Sequence, residues 1–199
     1  MTKGALKKEG LMFVISGPSG SGKTTLLKKL LEKGFLKRQL VKSVSLTTRP
    51  KRPGERVKKD YVFISEREFL ALLRAKKILE WTKYLGYYYG TPKDFIEDNL
   101  RKGSNLLLCL DLRGALKIKR LYPNNTATIF IAPPSLGALK QRIIKRSDKI
   151  NQEELQQRLG LARGELLAKG RYDYYLLNKD LSVATEKLKK IIIQELGLG

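Results

Sequence analysis

The feature that most restricts the fold lies near the start of the chain. A continuous apolar run, Leu11 to Ser16, leads into Gly17-Pro18-Ser19-Gly20-Ser21-Gly22-Lys23-Thr24, with Thr25 next, and the segment Thr24 to Lys33 carries leucines at 26, 27, 30 and 31. The run reads as a buried strand and the leucine stripe as an amphipathic helix, with Gly34 as its stop. Between them stands G-x-x-x-x-G-K-[ST] in full, in the strand–loop–helix setting that its physics requires. Glycines let successive N–H groups converge on phosphate oxygens, and the helix start adds positive potential. Lys23 supplies a mobile cation, and Thr24 a hydroxyl suited to Mg²⁺. A merely structural turn needs neither the Lys-Thr pair nor this spacing. A nucleoside triphosphate is therefore expected on residues 17–25. What is done with it stays open from the loop alone: a switch or motor NTPase, a small-molecule kinase, or a binding module that retains the loop.

Composition narrows the chemistry. Among 199 residues there are 41 Lys and Arg against 19 Asp and Glu, a net charge of +22, so the partners are expected to be anionic. Sixteen of the basic and only four of the acidic residues fall within residues 1–60, which places much of the excess beside the loop. There is no histidine and one cysteine, Cys109. That removes His-based nucleophile and acid/base chemistry, an internal disulfide and a zinc-type site. A reaction here must run on cations, carboxylates, hydroxyls and a hard metal ion. The apolar run after the basic first ten residues is too short for a signal sequence or a membrane span, so a cytoplasmic protein is expected.

Further along, strands are predicted over Leu40 to Thr48, Asp60 to Ser65, Ile78 to Tyr89, Asn105 to Asp111, Thr128 to Ala132 and Tyr172 to Leu177. Helices are predicted over Glu66 to Lys77, Phe95 to Arg101, Ala115 to Leu121, most of residues 135–170, and Val183 to Leu196. Apolar strands alternating with helices imply one α/β domain, a mostly parallel sheet with helices on both faces. Two polar stretches, near 45–91 and 142–158, interrupt that alternation.

The motifs that follow the loop share an order with a known family. Ser43-Val44-Ser45-Leu46-Thr47-Thr48-Arg49-Pro50 precedes Arg52-Pro53-Gly54-Glu55 and Asp60-Tyr61-Val62-Phe63. Then come Leu79-Glu80-Trp81, Tyr88-Tyr89-Gly90-Thr91, a strand ending at Asp111 before Gly114-Ala115, the arginines 142, 146 and 158, and Tyr172-Asp173-Tyr174 with Asn178. Over residues 11–195 this resembles the guanylate kinases, P-loop nucleoside monophosphate kinases. The resemblance implies transfer of the γ-phosphoryl group of ATP, with Mg²⁺, to GMP or dGMP, giving ADP and GDP. It implies a P-loop NTPase core of five parallel strands (11–44, 92–141 and 159–199), an inserted GMP-binding lobe (45–91) and a helical lid (142–158).

It also implies roles. Glu80 takes the guanine N1 and N2 donors while Ser45 and Thr91 serve the rest of the base edge. This carboxylate would be left buried and unpaired against adenine. Arg49, Arg52, Tyr61 and Tyr89 hold the GMP phosphate. Lys23, Arg49, Arg142, Arg146 and Arg158 stabilise the transferring group, Asn178 contacts the adenine side, and Thr24 with Asp111, through water, serves Mg²⁺. Charge stabilisation and positioning carry most of the catalysis in such transfers. The GMP phosphate is itself the nucleophile, so no general base is needed.

Four positions depart from the family pattern: Cys109 stands where a first acidic residue is usual, Arg113 for Gln, Tyr87 for Asn, and Ser147 for Gly. Activity is expected to survive these changes. The rival readings are a relative acting on another phosphate ester such as a ribose bisphosphate or another nucleoside monophosphate, a non-catalytic guanylate-kinase-like scaffold module, and a nucleic-acid-binding protein using Tyr84, Tyr87, Tyr88 and Tyr89 as a stacking platform. A sugar-phosphate kinase has no use for Ser45, Glu80 and Thr91 together, and the scaffold module typically lacks the phosphate loop that Lys23 and Thr24 complete here. No recognisable nucleic-acid module supports the third.

Overall fold

A computed structural model describes residues 9–32, 34–146 and 150–198 of the chain. Five strands, β1 (Met12–Ser16), β2 (Leu40–Lys42), β7 (Asn105–Cys109), β8 (Thr126–Ala132) and β9 (Tyr174–Leu177), form a sheet in the order β2-β7-β1-β8-β9. Every pairing in it is parallel. All residues of β1 and β8 are buried, as expected of near-continuous apolar strands covered on both sides.

The pleat sorts their side chains between two cores. Phe13 and Ile15 join Leu26, Leu27 and Leu30 of α1 (Lys23–Glu32) and Ala184, Leu188 and Ile192 of α8 (Leu181–Glu195). Met12 and Val14 join Ile96 and Leu100 of α4 (Lys93–Arg101) and Ala115 and Ile118 of α5 (Leu112–Leu121). A third cluster, Leu139, Ile143, Leu155, Leu159 and Ala162, holds α6 (Leu136–Arg146) against α7 (Gln152–Leu167).

A second sheet, ordered β4-β3-β6-β5, is built from β3 (Leu46–Thr47), β4 (Val62–Phe63), β5 (Ile78–Tyr84) and β6 (Tyr87–Pro92). Beneath it packs α3 (Glu66–Arg74), whose Phe69 is wholly buried with Leu46 and Ile78. Ser65 and Glu68 close a capping box at its start.

Three elements differ from the sequence expectation. The single strand expected over 40–48 is two: β2 pairs with β7 in the first sheet, and β3 pairs with β4 and β6 in the second. The chain crosses between sheets at residues 43–45. The strand expected over 78–89 is a hairpin whose turn residues, Leu85 and Gly86, both have positive φ (48° and 83°), the backbone that fits the twist of a two-residue turn. α1 ends at Glu32, and Gly34, expected as its stop, stands as the N-cap of a further short helix, α2 (Phe35–Gln39). No helix among the described residues is long and apolar enough to cross a membrane.

Candidate active site

A cleft of about 1590 Å³ runs between the carboxyl end of the first sheet and the second sheet. Ligand sites of open parallel sheets lie at this end.

Its first wall is the loop after β1. Gly17 adopts φ +133°, and a Cβ there would lie 2.2 Å from the Ile131 carbonyl oxygen. Gly22, at φ +95°, would place a Cβ 2.2 Å from Asn178 Nδ2. Both positions therefore require glycine. The Ser21 amide donates to the Pro18 carbonyl at 3.0 Å. Lys23 Nζ donates to the carbonyls of Gly17 and, at 3.0 Å, of Pro18. Pro18 and Ser21 are buried and contribute backbone to the loop rather than side chains to the cleft. Thr24 and Thr25 stand exposed on the first turn of α1 and, with Gly20, line the cleft.

Three side chains from other elements lock onto this loop. Asn178, buried just beyond β9, donates through Nδ2 to the Ser21 carbonyl at 2.8 Å. Arg142 of α6 donates to the Ser21 carbonyl at 3.4 Å and to that of Asn178 at 3.1 Å. Arg158 of α7 is 7% exposed, is paired with Glu154 at 2.6 Å, and reaches Ser19 Oγ at 3.2 Å. Arg146 ends α6, and its side chain lies outside the described residues.

The opposite wall is anchored by two buried charges. Arg49, 5% exposed, makes a bidentate pair with Glu55 at 2.5 and 2.8 Å, and its guanidinium sits over the Tyr61 ring at 4.9 Å. Burial works against both charges. Their mutual hydrogen bonds overcome it, holding the guanidinium above its ordinary pKa and the carboxylate below its own. Glu55 also accepts from the Arg52 amide at 2.9 Å, so it shapes the loop that carries both arginines. Tyr89 meets Tyr61 edge-on at 6.0 Å. Ser45, Arg52, Tyr61 and Tyr89 all line the cleft.

Glu80 is the second anchor. A register irregularity between Ile78 and Glu80 breaks the in–out alternation of β5, so Ile78, Leu79 and Glu80 are all buried. Glu80 faces Thr91 across the hairpin and accepts its hydroxyl at 2.5 Å. A Cβ on Gly114 would stand 2.6 Å from Glu80 Oε2, so the start of α5 packs onto this carboxylate. Burial pushes Glu80 up to about 7; the Thr91 hydrogen bond opposes the rise, and the charge of Asp111 adds to it.

Asp111 caps α5 by accepting from the Gly114 amide at 2.8 Å, and with Cys109 it lines the cleft at the end of β7. Glu165 of α7 also lines it; burial raises its carboxyl, with Lys23 opposing and Asp111 reinforcing. Among the described residues no three His, Cys, Asp or Glu side chains gather as a metal cage. The cleft thus joins a cationic phosphate loop to a buried carboxylate–hydroxyl pair, the arrangement of a two-substrate phosphoryl-transfer site.

Residues 10–195 match the family model for guanylate kinase. The chain belongs to the guanylate kinase family. A guanylate kinase of Caldanaerobacter subterraneus subsp. tengcongensis is 44% identical over 96% of this chain and 90% of its own length. One of Wolbachia pipientis wMel is 40% identical, over 96% and 92%. The crystal structure of a guanylate kinase from Anaplasma phagocytophilum superposes with a TM-score of 0.78 at 35% identity, covering 96% of this chain and 88% of that one. This family member is an ATP:GMP phosphotransferase, and the rival readings as a kinase of another phosphate ester or nucleoside monophosphate, or as a non-catalytic guanylate-kinase-like module, are not favoured.

The candidate substrate- and metal-binding residues, apart from the Arg146 side chain, line this cleft or, as with Pro18, Ser21 and Thr91, pack behind its walls. Of the departing positions, Tyr87 and Arg113 do not line it and Ser147 lies outside the described residues. Sequence reasoning missed Glu165 and any place for Tyr84 in the site, and it named Glu55 only as part of a motif, since its pairing depends on the loop folding back on Arg49. Tyr84 stood only among the tyrosines of a stacking platform, yet it lines the cleft and meets Tyr89 edge-on at 6.5 Å.

Proposed function

We propose that GMP binds along the wall formed by Ser45, Arg49, Arg52, Tyr61, Glu80, Tyr89 and Thr91, and ATP along residues 17–25. The γ-phosphoryl group then passes between them under the charges of Lys23, Arg49, Arg142, Arg146 and Arg158. The observation that carries this reading is that the buried Glu80–Thr91 pair and the Lys23 loop belong to opposite walls of one cleft. Glu80 offers acceptors where guanine carries donors, and adenine would leave them unpaired. The Arg49 fork, held rigid by Glu55, is suited to a phosphate.

Lys23 already hydrogen-bonds the loop carbonyls, so its ammonium needs little reorganisation to serve a phosphate lying in the loop. Arg142 and Arg158 come from α6 and α7, the segment 142–158 that we assign as the lid, of which 147–149 lie outside the described residues. Their closure over the site excludes water that would hydrolyse ATP. Residues 45–91 form the acceptor lobe. Asn178 supports the loop from behind, on the side assigned to adenine.

The oxygen donors Thr24 and Asp111 suit Mg²⁺ shared with substrate phosphates, consistent with the lack of an all-protein cage among the described residues. Bound there, Mg²⁺ would neutralise phosphate charge developing in the transfer. The setting is the cytoplasm, and dGMP is a second acceptor.

A panel of GMP, dGMP, AMP, UMP and ribose bisphosphate with ATP, run on the parent and on Glu80→Ala, tests the assignment. GMP preference that vanishes in the variant supports it. An unchanged preference refutes the role of Glu80.

A further inference from the structure

The second sheet has two edges, and they meet the rest of the molecule differently. In the order β4-β3-β6-β5, the β5 edge carries Glu80, and the β4 edge begins directly after Tyr61. The β5 edge is packed: Leu79 lies in a core cluster with Ala115 and Ile118, and the start of α5 closes on the Glu80 carboxylate. The β4 edge is entered through a turn at residues 56–60, and there the link to the first sheet is one side chain. Lys42, the last residue of β2, donates through Nζ to the Lys59 carbonyl at 2.7 Å. Among the described residues no other hydrogen bond joins residues 56–60 to the first sheet or its helices.

The turn is tight. The Arg56 amide donates to Asp60 Oδ2 and the Asp60 amide to the Arg56 carbonyl, both at 2.9 Å, and the Lys58 amide donates to the Tyr61 carbonyl at 2.9 Å. Lys58 stands at φ +59°, a backbone that a residue with a Cβ keeps only where its surroundings hold it. Lys42 supplies a hold from outside, at the very next residue. Tyr61 follows the turn, with the Arg49 guanidinium over its ring at 4.9 Å and Tyr89 edge-on at 6.0 Å. Where the turn lies therefore decides where these groups lie.

We infer that Lys42 is a positioning residue: by holding the 56–60 turn to the first sheet it sets Tyr61, and with it the Arg49 face of the cleft, for the phosphate of GMP. The inference rests on the proposed acceptor assignment, in which Lys42 has no part. Lys42 touches no reacting atom in this role. It acts through the Lys59 carbonyl, and the base-reading edge, held separately by α5, does not depend on it.

Two measurements that need no turnover test this. In Lys42→Met, which keeps the stem and loses the donor, amide hydrogen exchange over residues 56–61 speeds about fivefold, the worth of one net hydrogen bond. GMP binds about fivefold more weakly by calorimetry, while guanosine, which lacks the phosphate, stays within about twofold of the parent. Lys42→Arg, which keeps a charged donor, restores both readouts. Lys37→Met is the control for charge, since Lys37 also lines the cleft and, among the described residues, its ammonium has no hydrogen bond or ion pair. That variant matches the parent in exchange and in GMP affinity. The inference is overturned if residues 56–61 exchange in Lys42→Met as they do in the parent, if Lys37→Met weakens GMP as much, or if guanosine and GMP weaken together. A Lys42→Arg variant that behaves as Lys42→Met overturns it too. Failure of the acceptor assignment would appear separately, as a parent that does not bind GMP.

Discussion

Glu80 holds a carboxylate where burial resists its charge, and its replacement by glutamine exposes that cost. In the folded chain the group titrates near 7 against an ordinary value of 4.5. Between those values the native state binds a proton that the unfolded chain has given up, so stability falls as pH rises through this window. The span corresponds to about 3 kcal/mol at roughly 1.4 kcal/mol per pH unit. Glu80→Gln never ionises, and its amide oxygen can still accept from Thr91. The ligand-free variant should therefore match the parent near pH 4.5 and exceed it by about 3 kcal/mol at pH 8. For a chain of this size that is roughly 6–12 °C in melting temperature, read by differential scanning fluorimetry across that range.

The same change should weaken GMP binding about 10- to 100-fold, since a charge-assisted bond is lost and an amide donor now faces guanine donors. In the parent, GMP affinity should rise between pH 6 and 8 more steeply than in the variant, because the phosphate of GMP titrates equally in both. A melting-temperature gain that is equal at pH 4.5 and pH 8 would refute the reasoning, since the burial cost of the charge would then be absent.

Three further outcomes are expected. Lys23→Met should lower kcat at least 100-fold with GMP affinity unchanged by calorimetry, because the transfer loses an ammonium that acts where charge develops. Asp111→Asn keeps a side chain able to cap α5, so its melting temperature should hold while the Mg²⁺ concentration for half-maximal rate rises; an unchanged Mg²⁺ dependence would exclude Asp111 from the metal's surroundings. Gly114→Ala forces a methyl to 2.6 Å from Glu80 Oε2 and should raise KM for GMP about tenfold or more while leaving KM for ATP unaltered, as steady-state kinetics with each substrate varied would show.

Local features were legible in the sequence, whereas features decided by distant partners were not. The loop of residues 17–25 announces itself because strand, glycines, Lys23 and helix are contiguous. Leu40 to Thr48 could not be divided by pattern: Leu40 and Leu46 are equally apolar and buried, and only pairing with β7 or with β6 assigns each to its sheet. The Tyr87–Tyr89 run hides a hairpin because its turn, Leu85–Gly86, carries only one glycine as a signal. The bulge that turns Glu80 inward leaves no trace in a sequence read by alternation. The net charge pointed to anions but could not separate Arg49, buried on Glu55, from its solvated neighbours in the same run.

The second sheet leaves and rejoins the first at adjacent places. The chain departs at residues 43–45 and returns at Pro92, and Leu46 pairs directly with Gly90. Both ends of the segment proposed to read the acceptor therefore lie side by side, like the two leaves of a hinge on one pin. A segment attached in this way can be replaced as one cassette while the phosphate loop and its five strands stay in place. On the proposed assignment, exchange of this single contiguous stretch should change which monophosphate is read while the loop of residues 17–25 is kept, and steady-state kinetics of such a chimera with each acceptor would check it.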